Sequence, residues 1–260
     1  MAKDKNIFTE KLDLGYCEDM QEVSVDEFEK ILHNRRSVRV FKDKILPEEI
    51  VKKALEHGFL APNSSNLQPW KFIWVRNKEV KTELAKNCFS QNGAKTASDL
   101  IVCIARTNTW KENSKKMLDA FKDAGEEPPK VVESYYKKIV PAAYGLIGPF
   151  GILSPIKWLF LNTLGLFQVM AREPIWPSQL KTWAVKSTAL ACENIMLSFS
   201  AQGVDSLPME GYDSKRVKKM FGLKGHDHIV MIIGAGYRAD NGVYGPRVRF
   251  DSDNFIQEIK

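Results

Sequence analysis

The six residues Leu100 to Ala105 read Leu-Ile-Val-Cys-Ile-Ala, an apolar run without a charge. A run this short suits a strand, and its lack of polar alternation suits a strand buried on both faces. The fold has to cover that strand from two sides. Helical patterns supply the cover. Val185, Ala189, Cys192, Met196 and Phe199 fall at i, i+4, i+7, i+11 and i+14, and Gly203 ends that helix. Val25 to Asn34 reads as a short helix with Phe28, Ile31 and Leu32 on one face. Pro47 suits the first position of a helix that buries Ile50, Val51, Ala54 and Leu55 and ends near Gly58. Lys78 to Cys88 is helical, and Asp213 caps a short helix that stops at Gly222. Further strands are expected at Lys71–Arg76 and His228–Ile233, with a short final one at Val248–Phe250. Helices and strands are interspersed, but the strands are too few for a doubly wound sheet. The pattern predicts an α+β fold with a small mixed central β-sheet flanked by helices.

Residues 1–24 read as an irregular lead-in to a main domain over 25–260. Within that domain, about 107–181 breaks the pattern and looks like an insertion. It contains 141–171, a stretch of 31 residues with one charge, Lys157. Lys and Arg number 38 against 32 Asp and Glu, so the net charge is +6. That balance favours anionic ligands or an anionic surface. No basic block accompanies it, so nucleic acid is not an expected partner. The four cysteines, Cys17, Cys88, Cys103 and Cys192, form no Cys-x-x-Cys pair. They read as buried free thiols in a reducing compartment, which implies a cytoplasmic protein. The four histidines lack metal-ligand spacing, and no bound metal is expected. Met1 to Tyr16 is charged and has no apolar core, so no signal peptide is expected.

Gly234-Ala235-Gly236-Tyr237-Arg238-Ala239 follows a strand and fits G-x-G-x-x-G/A. A dinucleotide site would need a helix to open here. The sequence instead continues Ala239-Asp240-Asn241-Gly242, a turn, and too few residues remain for a second βαβ half. The glycines read as a tight strand exit.

Three other segments can grip a phosphorylated, planar, polar-edged ligand. Arg35-Arg36-Ser37-Val38-Arg39 concentrates three guanidiniums and a hydroxyl, and the guanidinium fork matches phosphate. Pro62 to Pro69 brackets Asn63, Ser64, Ser65, Asn66 and Gln68 between prolines, a rigid loop rich in donors and acceptors. In Leu207-Pro208-Met209-Glu210-Gly211-Tyr212, Gly211 permits close backbone approach to a ligand. Taken singly, these read equally as a solvated charge run, a connecting turn and a loop.

Together, and in this order, they resemble the nitroreductase family of flavin enzymes. Arg-Arg-Ser-x-Arg-x-Phe from Arg35 and Ala-Pro-x-Ser-x-Asn-x-Gln-Pro-Trp from Ala61 carry the resemblance. Pro-Met-Glu-Gly-Tyr-Asp from Pro208, Gly-Tyr-Arg from Gly236 and the terminal Arg247-Val248-Arg249 extend it. It covers 25–106 and 182–251. The resemblance implies a nitroreductase-like fold and an FMN-dependent homodimer with two shared sites at the subunit interface. It also implies a ping-pong reaction in which NADH or NADPH reduces FMN. A nitroaromatic, a quinone or a similar small-molecule acceptor then takes the electrons.

Carried over residue by residue, Arg35, Ser37 and Arg39 match the first FMN-binding segment, with Arg36 through its backbone. Arg247 and Arg249 match the basic pair at the phosphate. Pro62, Asn63, Ser64 and Asn66 match the segment donated by the second subunit, although Asn63 stands where the family usually has serine. Pro208, Met209, Glu210 and Gly211 match the loop under the isoalloxazine. Asn92 and Lys95 match an Asn-x-x-Lys at the pyrimidine edge, and Arg39 or Lys95 is the candidate cation for the reduced ring. FMN carries the redox chemistry, so no catalytic side chain is assigned. A family offshoot such as a reductive dehalogenase, or a flavin-binding protein without turnover, would carry the same grip.

The apolar stretch 141–171 has three readings. It is core of the dimer, a lid that selects a hydrophobic acceptor, or a peripheral contact with one membrane leaflet. Pro149 and Pro155 interrupt it, so a spanning helix is not expected.

Overall fold

The computed structural model describes residues 16–260. The signal-peptide expectation at the start of the chain and most of the lead-in lie outside them. Helix α1 spans Val25–Asn34, with the Ser24 hydroxyl accepting from the Glu27 amide. Helix α2 is Glu48–Phe59, so Pro47 is its N-cap and lies one position outside the helix. Strand β1 (Trp70–Val75), α3 (Lys78–Asn87), α4 (Asn92–Thr96) and β2 (Asp99–Arg106) follow. After β2 come α5 (Trp110–Asp123), α6 (Lys130–Ser134) and two π-helical turns, then α7 (Ser154–Leu164). The long α8 (Pro177–Ala201), β3 (Asp205–Met209), α9 (Ser214–Met220) and β4 (Asp227–Gly236) complete the regular structure.

The sheet runs β1-β2-β4-β3. All three ladders are antiparallel, and a bulge falls between Cys103 and Ile104 where β2 faces β4. The expected mixed sheet is thus an antiparallel one. Its parallel element is an isolated bridge from Ser37 to Ser206. Strand β3 has no counterpart in the sequence reading, because Pro208 lies within its five residues. Proline is tolerated there because β3 is an edge strand. Val248–Phe250, expected as a strand, has no ladder partner and is irregular.

Strand β2 is central, and its side chains divide between two cores. Leu100, Val102 and Ile104 pack with Val38, Leu84 and Ile232 on one face. Ile101 and Cys103 pack on the other with Val51 and Ala54 of α2 and with Cys192, Ile195 and Phe199 of α8. A third cluster gathers Leu67, Tyr136, Val140, Tyr144, Ile147 and Leu180 around the segment after β2. Helix α1 has no buried residue, and Phe28 is half exposed. Cys88, Cys103 and Cys192 are buried free thiols as expected, whereas Cys17 is exposed. No described helix is long and apolar enough to cross a membrane.

Candidate functional site

After α1 the chain turns extended and is clamped on both sides. The Val38 amide donates to Ser206 O (3.1 Å), and the Arg39 amide donates to Gly242 O (2.7 Å). Extended backbone alternates its side chains, so Val38 is fully buried while Ser37 and Arg39 face outward. The residues 243–249 fold back over this segment. Between them lies a cavity of about 320 Å³ lined by Arg35, Arg36, Ser37, Arg39, Tyr244, Arg247 and Arg249, among others. Five guanidiniums and, among the described residues, no carboxylate line it.

The arginines divide the work. Arg247 caps α1, its Nη2 donating to His33 O (3.0 Å) and Arg35 O (2.6 Å). Arg36 donates to Gly245 O (2.5 Å) and fixes the returning chain. Arg39 lies over the Tyr244 ring, 5.6 Å from its centroid. Arg35 approaches a carboxylate, Glu193, only to 3.9 Å. Desolvation, followed by repulsion from Arg35, Arg249 and Arg36, holds the Arg247 guanidinium below its usual range. An anion in the cavity would relieve that repulsion.

Helix α4 links this cavity to the 207–212 segment. The Asn92 side chain donates to the Tyr244 hydroxyl (3.4 Å), and Gln91 Nε2 donates to Gly211 O (2.8 Å). Gly93 lies so close to Leu207 that a Cβ there would meet its Cδ2 at 2.2 Å. Pro208 is half-buried on the edge strand, and Glu210 and Gly211 are exposed. Met209 is a core side chain, so only its backbone is available to a ligand. Tyr212 holds the segment by donating to Ile229 O (2.9 Å), and desolvation pushes its hydroxyl up to about 12. Gln91 and Tyr244 carried no signal in the sequence, because their importance depends on which distant segment each one touches.

Two predicted groups lie elsewhere. Lys95 lines a second cavity with Lys42, Lys44, Lys78 and Lys81, not the arginine cavity. The Pro62–Asn66 loop does not line the arginine cavity either. It is built with care all the same. Ser65, Asn66 and Gln68 all have positive φ (58°, 46° and 45°), a region costly for side chains that the surroundings must enforce. Asn63 Oδ1 accepts from the Gln68 amide (2.7 Å), Ser65 meets the Tyr135 hydroxyl (2.7 Å), and Ser64 meets the Tyr144 hydroxyl (3.0 Å). Asn113 donates to Leu67 O (2.7 Å). Tyr135, Tyr144 and Asn113 were invisible as partners in the sequence, since they lie in the stretch read as an insertion.

The Gly-Tyr-Arg segment is structural. Arg238 Nε donates to Asp205 Oδ1 (2.9 Å) and its Nη2 to Asn34 O (3.0 Å), locking the end of β4 to β3 and α1. No helix opens at Gly236, where the chain runs on into a turn, which removes the dinucleotide reading of the G-x-G-x-x-G/A match.

The sequence profile of the nitroreductase family matches residues 32–237. A Staphylococcus epidermidis protein named "Putative NAD(P)H nitroreductase" is 28% identical over 248 residues, which cover 93% of this chain and 99% of the relative. An NADH dehydrogenase of Thermus thermophilus is 25% identical, covering 80% and 85%. A solved structure from Exiguobacterium sibiricum, in complex with FMN, superposes with a TM-score of 0.67. The match is 23% identical and covers 93% of this chain and all of that one.

Proposed function

The chain belongs to the nitroreductase family, and from that premise we propose that it is an FMN-dependent oxidoreductase whose site is completed by a second copy of the chain. When bound, FMN supplies a carrier that takes hydride from NADH or NADPH and yields it to a nitroaromatic, quinone or similar acceptor in ping-pong order. The observation that carries the reading is the cavity lined by five arginines and, among the described residues, no acid. Such a cavity suits a phosphate ester. The FMN-bound neighbour and the NAD(P)H-named relatives agree with it.

In this reading Arg35 and Arg249 hold the phosphate end, with the Ser37 hydroxyl beside them. Arg36 and Arg247 keep the two backbone segments together so that the cavity persists. The Pro208–Gly211 backbone and Asn92 border the ring edge. Arg39 is the cation for the reduced ring, since Lys95 lines another cavity. Pro62, Asn63, Ser64 and Asn66 serve the site of the second copy, which accounts for a rigid, hydrogen-bonded loop outside the arginine cavity of its own chain. The same reading makes the enzyme a cytoplasmic homodimer that works on small molecules.

The protein should purify yellow with about one FMN per chain, and anaerobic NADH or NADPH should bleach the flavin band. Bound flavin without bleaching would leave a flavin-binding protein without turnover. Sedimentation should give a dimer whenever flavin is bound, and an active flavin-loaded monomer would refute the shared site.

A further inference from the structure

Helix α7 is built inside out. Its buried positions are Ser154 and Lys157, the latter the single charge of 141–171, with Leu161 part-buried on the same side. Ser154 donates to Ile175 O (2.7 Å), and Lys157 donates to Ala143 O (2.6 Å) and Pro174 O (2.7 Å). Desolvation holds the Lys157 ammonium below its usual range, so its burial is opposed and is sustained by those two carbonyls. The outward stripe at helical spacing is Ile156, Leu159 and Phe160, prolonged by Ile152 before the helix and Phe167 after it, all exposed; Trp158 stands half-exposed at the flank of the buried side. An ordinary surface helix has the reverse polarity.

We infer that this face docks on an anionic lipid surface, with α7 lying in the plane of the interface. Three features select lipid as the occupant. Eleven residues make a helix of about 16 Å, about half the thickness of the hydrocarbon core, so α7 can lie in a leaflet but not cross it. The stripe offers hydrocarbon and aromatic rings with almost no donors or acceptors, whereas protein interfaces carry about one hydrogen bond per 100–200 Å². The flanks are cationic: Lys137, Lys138, Arg172 and Lys181 stand against Glu133 and Glu173 within ten residues of the two ends of 141–171. Arg172 is also tied to the end of the helix through Gly165 O (3.0 Å), which keeps a cation at its rim. Basic residues beside an apolar wedge are what an anionic leaflet attracts. A second copy of this chain has other apolar surface to use, on Phe28 and Leu32 of α1, Phe59 at the end of α2 and Leu190 of α8. The inference does not rest on the flavin reading.

The test is flotation of the full-length, flavin-loaded protein with phosphatidylcholine vesicles, with and without phosphatidylglycerol. Wild type should float with the anionic vesicles and lose binding as salt rises. Leu159→Asp with Phe160→Asp should lower the bound-to-free ratio by about tenfold or more, since each side chain contributes more than about 1.4 kcal/mol when buried. The double variant should keep its flavin, its activity on a water-soluble acceptor and its sedimentation coefficient. Independently of folding, acyl-brominated anionic lipid should quench wild-type tryptophan fluorescence, and Trp158→Phe should reduce the quenched fraction. Wild type that fails to float, or a double variant that floats equally well, would overturn the inference. So would a double variant that sediments as a smaller species, which would assign the face to a second copy.

Discussion

Strand β2 and helix α7 are both apolar stretches in sequence, and the fold treats them in opposite ways. Every residue of β2 but the last is buried, with its apolar side chains divided between two cores. Helix α7 buries a serine and a lysine and leaves Ile156, Leu159 and Phe160 outside, each at least 60% exposed. Composition therefore does not decide burial. Strand β2 has paired strands on both edges and α2 and α8 on one face, so its environment is complete within one chain. Helix α7 buries Ser154 and Lys157, part-buries Leu161, and leaves its Ile156, Leu159 and Phe160 stripe uncovered by the described residues. The contrast marks β2 as scaffold and α7 as a surface that meets something other than its own chain.

The largest expected effect tests the contrast directly. Ile101→Ala should cost about 2–5 kcal/mol, because it leaves a cavity at a site with no exposure. Leu159→Ala should stay within about 0.5 kcal/mol. Chemical denaturation at fixed protein and flavin concentration reads both, and equal losses would break the comparison. Next, Lys157→Met should cost about 1–3 kcal/mol by leaving Ala143 O and Pro174 O unpaired, although methionine suits an apolar helix better. A stabilised Lys157→Met variant would show that the inverted helix has no need of its inward cation.

The smallest effect lies where the sheet meets the chain that leads into α7: His228 of β4 and Phe150 line one cavity of about 900 Å³. Desolvation, then Lys218 and Lys181, brings His228 down to about 4 from about 6.5. The unfolded chain therefore takes up this proton first, and stability falls as pH drops from about 6.5 towards 4. His228→Gln should flatten that part of the pH dependence. The effect is modest because the ring is only half-buried. A profile identical to wild type would remove His228 from the account.

What was legible in the sequence follows the same contrast. Patterns whose partners are local or periodic were readable: α1, β2, α8 and the Asp213 cap of α9 stand where apolar spacing and capping residues put them. Strand β3 was not, because its pairing with β4 is non-local and Pro208 reads as a breaker. The opposite error at Val248–Phe250 has the same origin, since alternation makes a strand only where an edge is free to pair. In the candidate site, the arginines of both segments were legible by residue type. The division among them was not. Arg247 caps the end of α1 from more than two hundred positions away, and nothing in its neighbourhood announces that. Lys95 reads as a site residue by spacing, yet its segment turns it into another cavity. Lys157 was visible as a lone charge, but which way it points depends on carbonyls fourteen and seventeen residues distant.

Arg35 and Arg249 form the phosphate grip of the proposed FMN site, and the most direct test compares FMN with riboflavin, which lacks only the phosphate. Flavin fluorescence titration of the apoprotein gives both dissociation constants. Wild type should bind FMN at least about a hundredfold more tightly than riboflavin, since charge-assisted hydrogen bonds contribute about 1.5–3 kcal/mol each. In the Arg35→Ala, Arg249→Ala double variant, that ratio should collapse towards unity while riboflavin binding holds. An unchanged ratio in a folded double variant would contradict the assignment and put the phosphate elsewhere.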